Sequence, residues 1–123
     1  MLWLARACFH RGRRKEGLAL LRLLLPEEHD LRRWEAEPFA LAADVSSSPG
    51  HEGEAGWTWY TGSAGWYFRV VTEDLLGLRL RDGKLEVHPA LPDWEVLWRG
   101  HTLRAEQGRV SADGEPLTGP LEP

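Results

Sequence analysis

The sequence has one cysteine, one methionine and no long apolar run, and each of these shortages excludes a class of protein. A lone Cys8 cannot form an intrachain disulfide, so we expect it to pack as a small apolar side chain. No segment approaches the roughly 18 apolar residues of a membrane span. The short apolar start precedes its positive charges, unlike a cleaved signal peptide. A soluble, cytoplasmic setting is the resulting expectation.

An overall basic excess is also lacking. The formal net charge of −4 and the pI of about 5.7 give no electrostatic reason to bind nucleic acid. The charge is uneven, since residues 1–34 hold eight Lys and Arg against four Asp and Glu. We expect the basic cluster 11–15 to be a solvated connection between helices, with an anionic partner or membrane surface as the weaker alternatives.

Residues with metal-binding or nucleophilic chemistry form no familiar pattern. The five histidines are scattered without zinc-site spacing, which predicts no metal site and no cofactor. No nucleophile elbow, Walker loop or dinucleotide fingerprint occurs. His51, with Glu52 and Glu54, lies in a Ser/Gly/Pro-rich loop, where it could touch a substrate or simply be solvated. Glu37 and Asp44 could be buried hydrogen-bond partners or sugar-hydroxyl ligands.

The chain is rich in only one aromatic residue, with seven tryptophans against three phenylalanines and two tyrosines. Three of these tryptophans fall in "GWTWYTGSAGW", residues 56–66. Trp57, Trp59 and Tyr60 would occupy an extended segment, so that one ring stacks on a sugar while another anchors the segment to the core. Simple packing in a core is the alternative interpretation.

Helical patterns occupy the first part of the chain. Residues 2–11 read as a helix without a capping side chain, and residues 14–25 as a second helix ending at Pro26. The second contains "LALLRLLL", which is apolar on nearly every side. We therefore expect these side chains to be buried against further residues of a longer chain or against a partner. A third helix begins near Gly62 or Ser63, carries apolar residues as far as Leu78, and is interrupted at Gly77.

Beyond Gly77, apolar and polar residues alternate with a period of two, as in a β-strand. "LRLRDGKLEVH" predicts a hairpin around Asp82 and Gly83, and further short strands follow, with a second Asp-Gly turn at Asp113 and Gly114. Helices followed by an antiparallel meander give an α+β class.

The start of the third helix is a candidate anion site. Thr61, Gly62 and Ser63 would stand where backbone N–H groups lack intrahelical acceptors and the helix dipole is positive. Phosphate suits such a pocket, because Thr61 adds a hydroxyl donor and Gly62 allows close approach. A plain N-cap role for Thr61 or Ser63 is the structural alternative.

The strings "EPFALAADV", "GWTWYTGSAGW" and "LEVHPALPDWEV" resemble the C-terminal end of glycoside hydrolase family 94 enzymes, formerly glycosyltransferase family 36. "WTWYTGSAGW" looks most like the β-1,2-glucan branch. The resemblance implies the last helices of an (α/α)6 barrel followed by C-terminal β structure. It also implies an inverting phosphorylase, in which phosphate attacks the anomeric carbon while an aspartic acid protonates the leaving oxygen.

The resemblance assigns phosphate binding to Thr61 and Gly62, and inorganic phosphate becomes a co-substrate instead of a cofactor. The family's aspartate belongs to upstream barrel segments and its phosphate-binding histidine would fall just before Met1, so no catalytic residue is assigned here. Glu54 stands where the family often has arginine, and a carboxylate facing an anion site would weaken binding.

These inferences give three segments: residues 1–77 as terminal barrel helices with the phosphate loop, 78–118 as the β region, and 119–123 as a frayed tail. The expected ligands are phosphate and a β-glucan or oligosaccharide, contacted by Trp57, Trp59, Tyr60 and His51. An upstream polypeptide half or a second copy would cover the leucine-rich helix. The rival interpretation is a non-catalytic carbohydrate-binding or interaction module.

Overall fold

Helices in the first part of the chain and antiparallel strands in the last part make up the computed structural model, which describes residues 1–59 and 62–122. Contacts divide the chain into two units, Met1–Phe68 and Arg69–Pro123. The helices and the antiparallel strands together confirm the predicted α+β class. Among the residues described, no helix has both the length and the apolar character needed to cross a bilayer.

The first unit opens with a helical hairpin formed by α1 (Leu2–His10) and α2 (Arg14–Arg22). As predicted, no side chain caps the start of α1, whose N-cap residue is Met1. The helices meet closely because Gly17 has no side chain: a Cβ there would lie 2.9 Å from the Phe9 ring. Cys8 is buried in this core, as expected of a small apolar side chain.

The second helix is shorter than predicted. It ends at Arg22, and the amides of Leu24 and Leu25 turn to carbonyls only three residues back. Pro26 explains this end, because the residue before a proline is disfavoured in the helical region and Leu25 has ψ 125°. The leucine-rich stretch is only partly covered, with Leu21 buried and Leu23 53% exposed.

Residues 26–56 contain short regular elements. A 3-10 turn at Pro26–Glu28 leads to α3 (Leu31–Trp34), and β1 (Asp44–Val45) pairs antiparallel with β2 (Ala55–Gly56). Asp30 caps α3 by accepting a hydrogen bond from the Arg32 amide at 3.0 Å. Trp34, fully buried, stacks on His29 with ring centroids 4.3 Å apart.

The third predicted helix begins where the sequence indicates. It is α4 (Ser63–Val70), and its last turn continues as a π-helical segment, Val71–Leu75. Gly77 then takes the left-handed conformation at φ 77°, so the prediction that this glycine ends the helix is confirmed. Leu78, which fitted the helical period, instead begins β3 because it lies beyond that break.

The second unit contains a hairpin and a four-stranded meander. The hairpin pairs β3 (Leu78–Arg81) with β4 (Lys84–Val87). The meander has the order β5-β6-β7-β8, formed by Trp94–Trp98, His101–Glu106, Arg109–Ala112 and Glu115–Pro116. Four X-Gly pairs with positive φ at both residues connect the strands, at 82–83, 99–100, 107–108 and 113–114. The sequence predicts the two Asp-Gly turns, which are confirmed, but not the Arg-Gly and Gln-Gly turns.

Leu85, Leu103 and Ala105 are fully buried in the second unit. The buried carboxylate of Asp74 pairs with the Arg79 guanidinium at 2.7 Å. Although the sequence predicts a frayed tail at 119–123, Leu121 forms an antiparallel bridge with Leu85 through hydrogen bonds of 2.8 and 2.9 Å. The edge of β4 that does not pair with β3 explains why the tail is ordered at Leu121. The backbone N–H and C=O groups of an extended segment can form hydrogen bonds along this edge.

Candidate functional site

The aromatic segment is anchored where it leaves the β1–β2 ladder. Ala43 donates its amide to the Gly56 carbonyl at 3.1 Å, and Val45 pairs with Ala55. Gly56 packs directly on Asp44, because a Cβ at Gly56 would lie 2.6 Å from the Asp44 carboxylate oxygen. Any larger residue at Gly56 would displace this side chain. The start of the segment is therefore fixed by a close backbone approach.

Trp57 does not continue the extended strand. Its φ is 56°, in the left-handed region that usually costs a non-glycine residue about 1–2 kcal/mol. The predicted extended conformation is thus wrong at Trp57, because the backbone turns there. Trp57 is 66% exposed and Trp59 75% exposed, so neither indole serves as a core anchor. Both rings are accessible to a ligand.

Trp59 is held in place despite its exposure. Its indole Nε1 donates to Glu37 Oε1 at 2.7 Å, and its ring meets Phe39 edge-on with centroids 6.2 Å apart. Hydrogen bonds from the Thr58 side chain, from the backbone and from Trp59 lower the pKa of Glu37 below its ordinary value of 4.5. Glu37 is therefore a carboxylate at neutral pH, and its role as a hydrogen-bond partner is the alternative that this geometry supports.

A cleft opens beside this contact, lined by Glu35, Ala36, Glu37, Ala55, Trp57 and Thr58. Glu35, like Trp57, has positive φ, at 51°. Two non-glycine residues in this sparsely occupied backbone region therefore border one cleft. Such conformations persist only when surrounding contacts hold them, and they concentrate at ligand-binding sites.

The start of α4 has the features needed near an anion. The Trp66 amide donates to the Gly62 carbonyl at 2.9 Å, which makes Gly62 the residue that opens the helix. The first turn contains no acidic residue, and it consists of Ser63, Ala64 and Gly65, which have small side chains. Gly62 itself is exposed, and a Cβ there would meet only Trp66 Cδ1 at 3.9 Å.

Trp66 connects the start of α4 to the first helix. Its ring lies 5.0 Å from that of Trp3, tilted by 48°. Tyr60 and Thr61, which the sequence assigns to sugar and phosphate respectively, lie outside the described residues. The predicted anion site is therefore described only through Gly62 and Ser63.

His51 makes its contact within its own loop. Its Nδ1 lies 2.9 and 3.0 Å from the two carboxylate oxygens of Glu54. Glu54, the residue at the position where arginine was expected, is thus engaged by His51. Two backbone hydrogen bonds also stabilise the loop. The His51 amide donates to the Ser48 carbonyl, and the Gly53 amide donates to the Ser46 carbonyl.

The structure adds Phe39 to the candidate residues. Its ring is 77% exposed and contacts Trp59, yet only its place in "EPFALAADV" marks it in the sequence. In the part of the chain that the structure describes, no three His, Cys, Asp or Glu side chains are grouped as metal ligands. The candidate site is consequently an aromatic cleft followed along the chain by a helix start.

Comparison with known proteins identifies the family. The model of the glycosyl hydrolase 94 superfamily catalytic domain matches residues 1–77. The chain is 38% identical to the cyclic beta-(1,2)-glucan synthase NdvB of Rhizobium meliloti over 94% of its own length, which is 4% of that protein. It is 33% identical to the solabiose phosphorylase of Paenibacillus borealis over 58% of its length, which is 11% of that enzyme.

The chain thus spans only a small part of either relative. The family model nevertheless covers more than half of the chain, and it includes the whole aromatic segment and α4. On this evidence the chain belongs to the glycosyl hydrolase 94 superfamily.

Proposed function

We propose that this chain contributes part of the phosphate and sugar site of an inverting carbohydrate phosphorylase or β-1,2-glucan-active glycosyltransferase. The observation that carries the proposal is the run of exposed indoles, Trp57 and Trp59, that leads within a few residues to the acid-free first turn of α4. An aromatic face suits a pyranose ring, and the N–H groups at a helix start suit a phosphate. The names of the two relatives, a glucan synthase and a phosphorylase, agree with this pairing.

In this proposal the sugar lies against the indoles, and phosphate sits at the helix start. Thr61 donates its hydroxyl, while Gly62 and Ser63 offer backbone N–H groups. These donors would hold the nucleophilic phosphate oxygen close to the anomeric carbon, which lowers the entropic part of the barrier. Protonation of the leaving oxygen requires an acid that this chain does not contribute, so we propose that it is inactive alone.

The rest of the catalytic site would come from an upstream polypeptide or a further part of a longer chain. Exposed apolar side chains on the helices support this, because Trp3 and Leu4 on α1, Leu23 after α2 and Phe68 on α4 are each about half exposed or more. Helices of an (α/α)6 barrel would cover such faces. A second copy of the chain is the competing occupant, distinguishable by sedimentation.

Phosphate binding is tested by titrating inorganic phosphate into the ¹⁵N-labelled chain and following the amide signals of residues 62–65. We expect saturable shifts there, and Gly62→Ala should weaken binding by about tenfold by blocking close approach. The space around Gly62 accepts a Cβ, so the helix should persist. Gly119→Ala, outside the proposed site and with nothing within 4 Å of an added Cβ, is the matched control. Equal affinity in both variants would contradict the assignment.

Catalysis is tested by co-expressing the chain with a polypeptide carrying the remainder of a glycosyl hydrolase 94 catalytic domain. The pair should release glucose 1-phosphate from β-1,2-glucan only when phosphate is present, and neither polypeptide should do so alone. Glucan binding by the isolated chain without any gain of activity in the pair would instead favour a non-catalytic carbohydrate-binding module. The exposed indoles are the specific observation behind that second candidate.

A further inference from the structure

One β-turn supplies both contacts that hold the Trp59 ring. The Ala40 amide donates to the Glu37 carbonyl at 3.2 Å, which closes a turn through Pro38 and Phe39. Proline at the second position of a turn is preset for that conformation. The first and third residues of this turn, Glu37 and Phe39, are the two that touch Trp59.

This turn is itself rigidly placed. Glu35 ends α3 in the left-handed conformation, and Ala40 at the far end of the turn is buried. The residue before a proline is also restricted to extended conformations, which limits the backbone at Glu37. The carboxylate is thus presented from a segment with little conformational freedom.

We infer that Glu37 is a positioning residue: its carboxylate, with Phe39, fixes the exposed Trp59 indole as a preoriented platform for a pyranose ring. The indole N–H reaches Glu37 across 22 residues of sequence, so this contact is tertiary and not local. Hydrogen bonding by the Thr58 side chain also lowers the pKa of the same carboxylate. The hydrogen bond to Glu37 and the edge contact with Phe39 together fix the direction of the indole face.

The inference rests on the proposed sugar-binding function and adds a division of roles to it. Glu37 acts through Trp59, because its Oε1 accepts the indole N–H. Of Glu37 and Trp59, it is Trp59 that meets the sugar, and its ring is 75% exposed even with both supports in place. Holding the ring before the ligand arrives reduces the ordering cost of binding.

The first test measures the ring without any ligand. In the ¹⁵N-labelled full chain, the Trp59 indole N–H signal should move upfield in Glu37→Ala and also in Glu37→Asp, whose shorter side chain withdraws the acceptor. Glu37→Gln keeps an acceptor oxygen and should retain most of the downfield shift. Glu52→Ala removes an exposed acid of the neighbouring loop and should leave the signal unchanged. An indole signal indifferent to Glu37→Ala and Glu37→Asp would overturn the positioning role.

The second test measures binding of a β-1,2-linked gluco-oligosaccharide to the same variants by calorimetry. Glu37→Ala should weaken binding by about threefold to tenfold, as for one lost hydrogen bond, while Glu37→Gln stays near the parent. The double variant Glu37→Ala/Trp59→Ala should bind no worse than Trp59→Ala, because Glu37 acts only through the ring. An additional loss in the double variant would overturn the inference by showing that Glu37 contacts the sugar itself.

The two tests separate the possible failures. If Trp59→Ala binds the oligosaccharide as well as the parent, the sugar role of the proposed function is overturned, whatever the indole signal shows. If Trp59→Ala loses binding but the indole signal ignores Glu37, the proposed function stands and the positioning inference falls. Phe39→Leu, which removes the edge contact at an exposed position, gives a second variant should Glu37→Ala fail to fold.

Discussion

Replacing Gly77 by alanine should damage the second unit more than any change that merely strains a turn. Gly77 is buried with φ 77°, and it stands between the π-helical segment and β3. Its carbonyl accepts the His88 amide at 2.9 Å, which brings the two backbones together at the open end of the β3–β4 hairpin. A Cβ on Gly77 would overlap the His88 carbonyl group. Backbone cannot rotate away as a flexible side chain can.

The magnitude follows from two contributions. The left-handed conformation costs an alanine about 1–2 kcal/mol, and the forced displacement of a packed neighbour adds about 1–3 kcal/mol. The reduced freedom of the unfolded chain returns about 0.4–1 kcal/mol. The free energy of unfolding should therefore fall by about 2–4 kcal/mol in Gly77→Ala.

Gly83→Ala is the matched control, since Gly83 has φ 80° but nothing within 4 Å of an added Cβ. It should lose only about 1 kcal/mol, from the conformational contribution alone. Urea unfolding of the full chain, followed through the amide signals of β3 and β4, measures both variants. Equal losses in Gly77→Ala and Gly83→Ala would refute the reasoning, because the His88 contact would then contribute nothing.

Two further outcomes follow from the second unit. Leu103→Ala should lower the free energy of unfolding by about 2–5 kcal/mol because Leu103 is fully buried, whereas Leu97→Ala, at a 73% exposed position, should change it by less than about 0.5 kcal/mol in urea unfolding. Hydrogen bonds from the His101 ring, which has the larger effect, and from the Thr102 amide lower the pKa of Asp113 below its ordinary 3.8. The stability from Asp113 should thus be complete above about pH 3.8 and disappear as pH falls through the lower folded pKa; Asp113→Asn should flatten this acid limb, and an unchanged limb would contradict the pairing.

Part of the fold can be predicted from the residues that lie close together in the sequence. The start of α4 at Ser63, the break at Gly77 and the two Asp-Gly turns depend on residues close in sequence, whose backbone preferences decide the conformation. Arg99–Gly100 and Gln107–Gly108 adopt the same turn without an Asp or Asn. There the pairing of β5, β6 and β7 imposes positive φ on residues that do not favour it.

The sequence likewise predicts only part of the candidate site. The sequence marks the indoles and Gly62 through the family strings, and it leaves two possible roles for Glu37. It does not predict the left-handed backbone at Trp57, nor the turn that joins Glu37 and Phe39 to Trp59. A strand pattern predicts alternating rings, but the conformation at Trp57 depends on how the segment leaves the β1–β2 ladder.

By itself the sequence determined the family, the α+β order and the positions where helices and hairpins start, because these depend on composition, periodicity and turn residues along a few positions of chain. Only the tertiary structure decided which side chain holds Trp59 and that both indoles face outward. Those outcomes depend on contacts between residues 22 positions apart, and no local preference specifies which of many possible partners a side chain will meet.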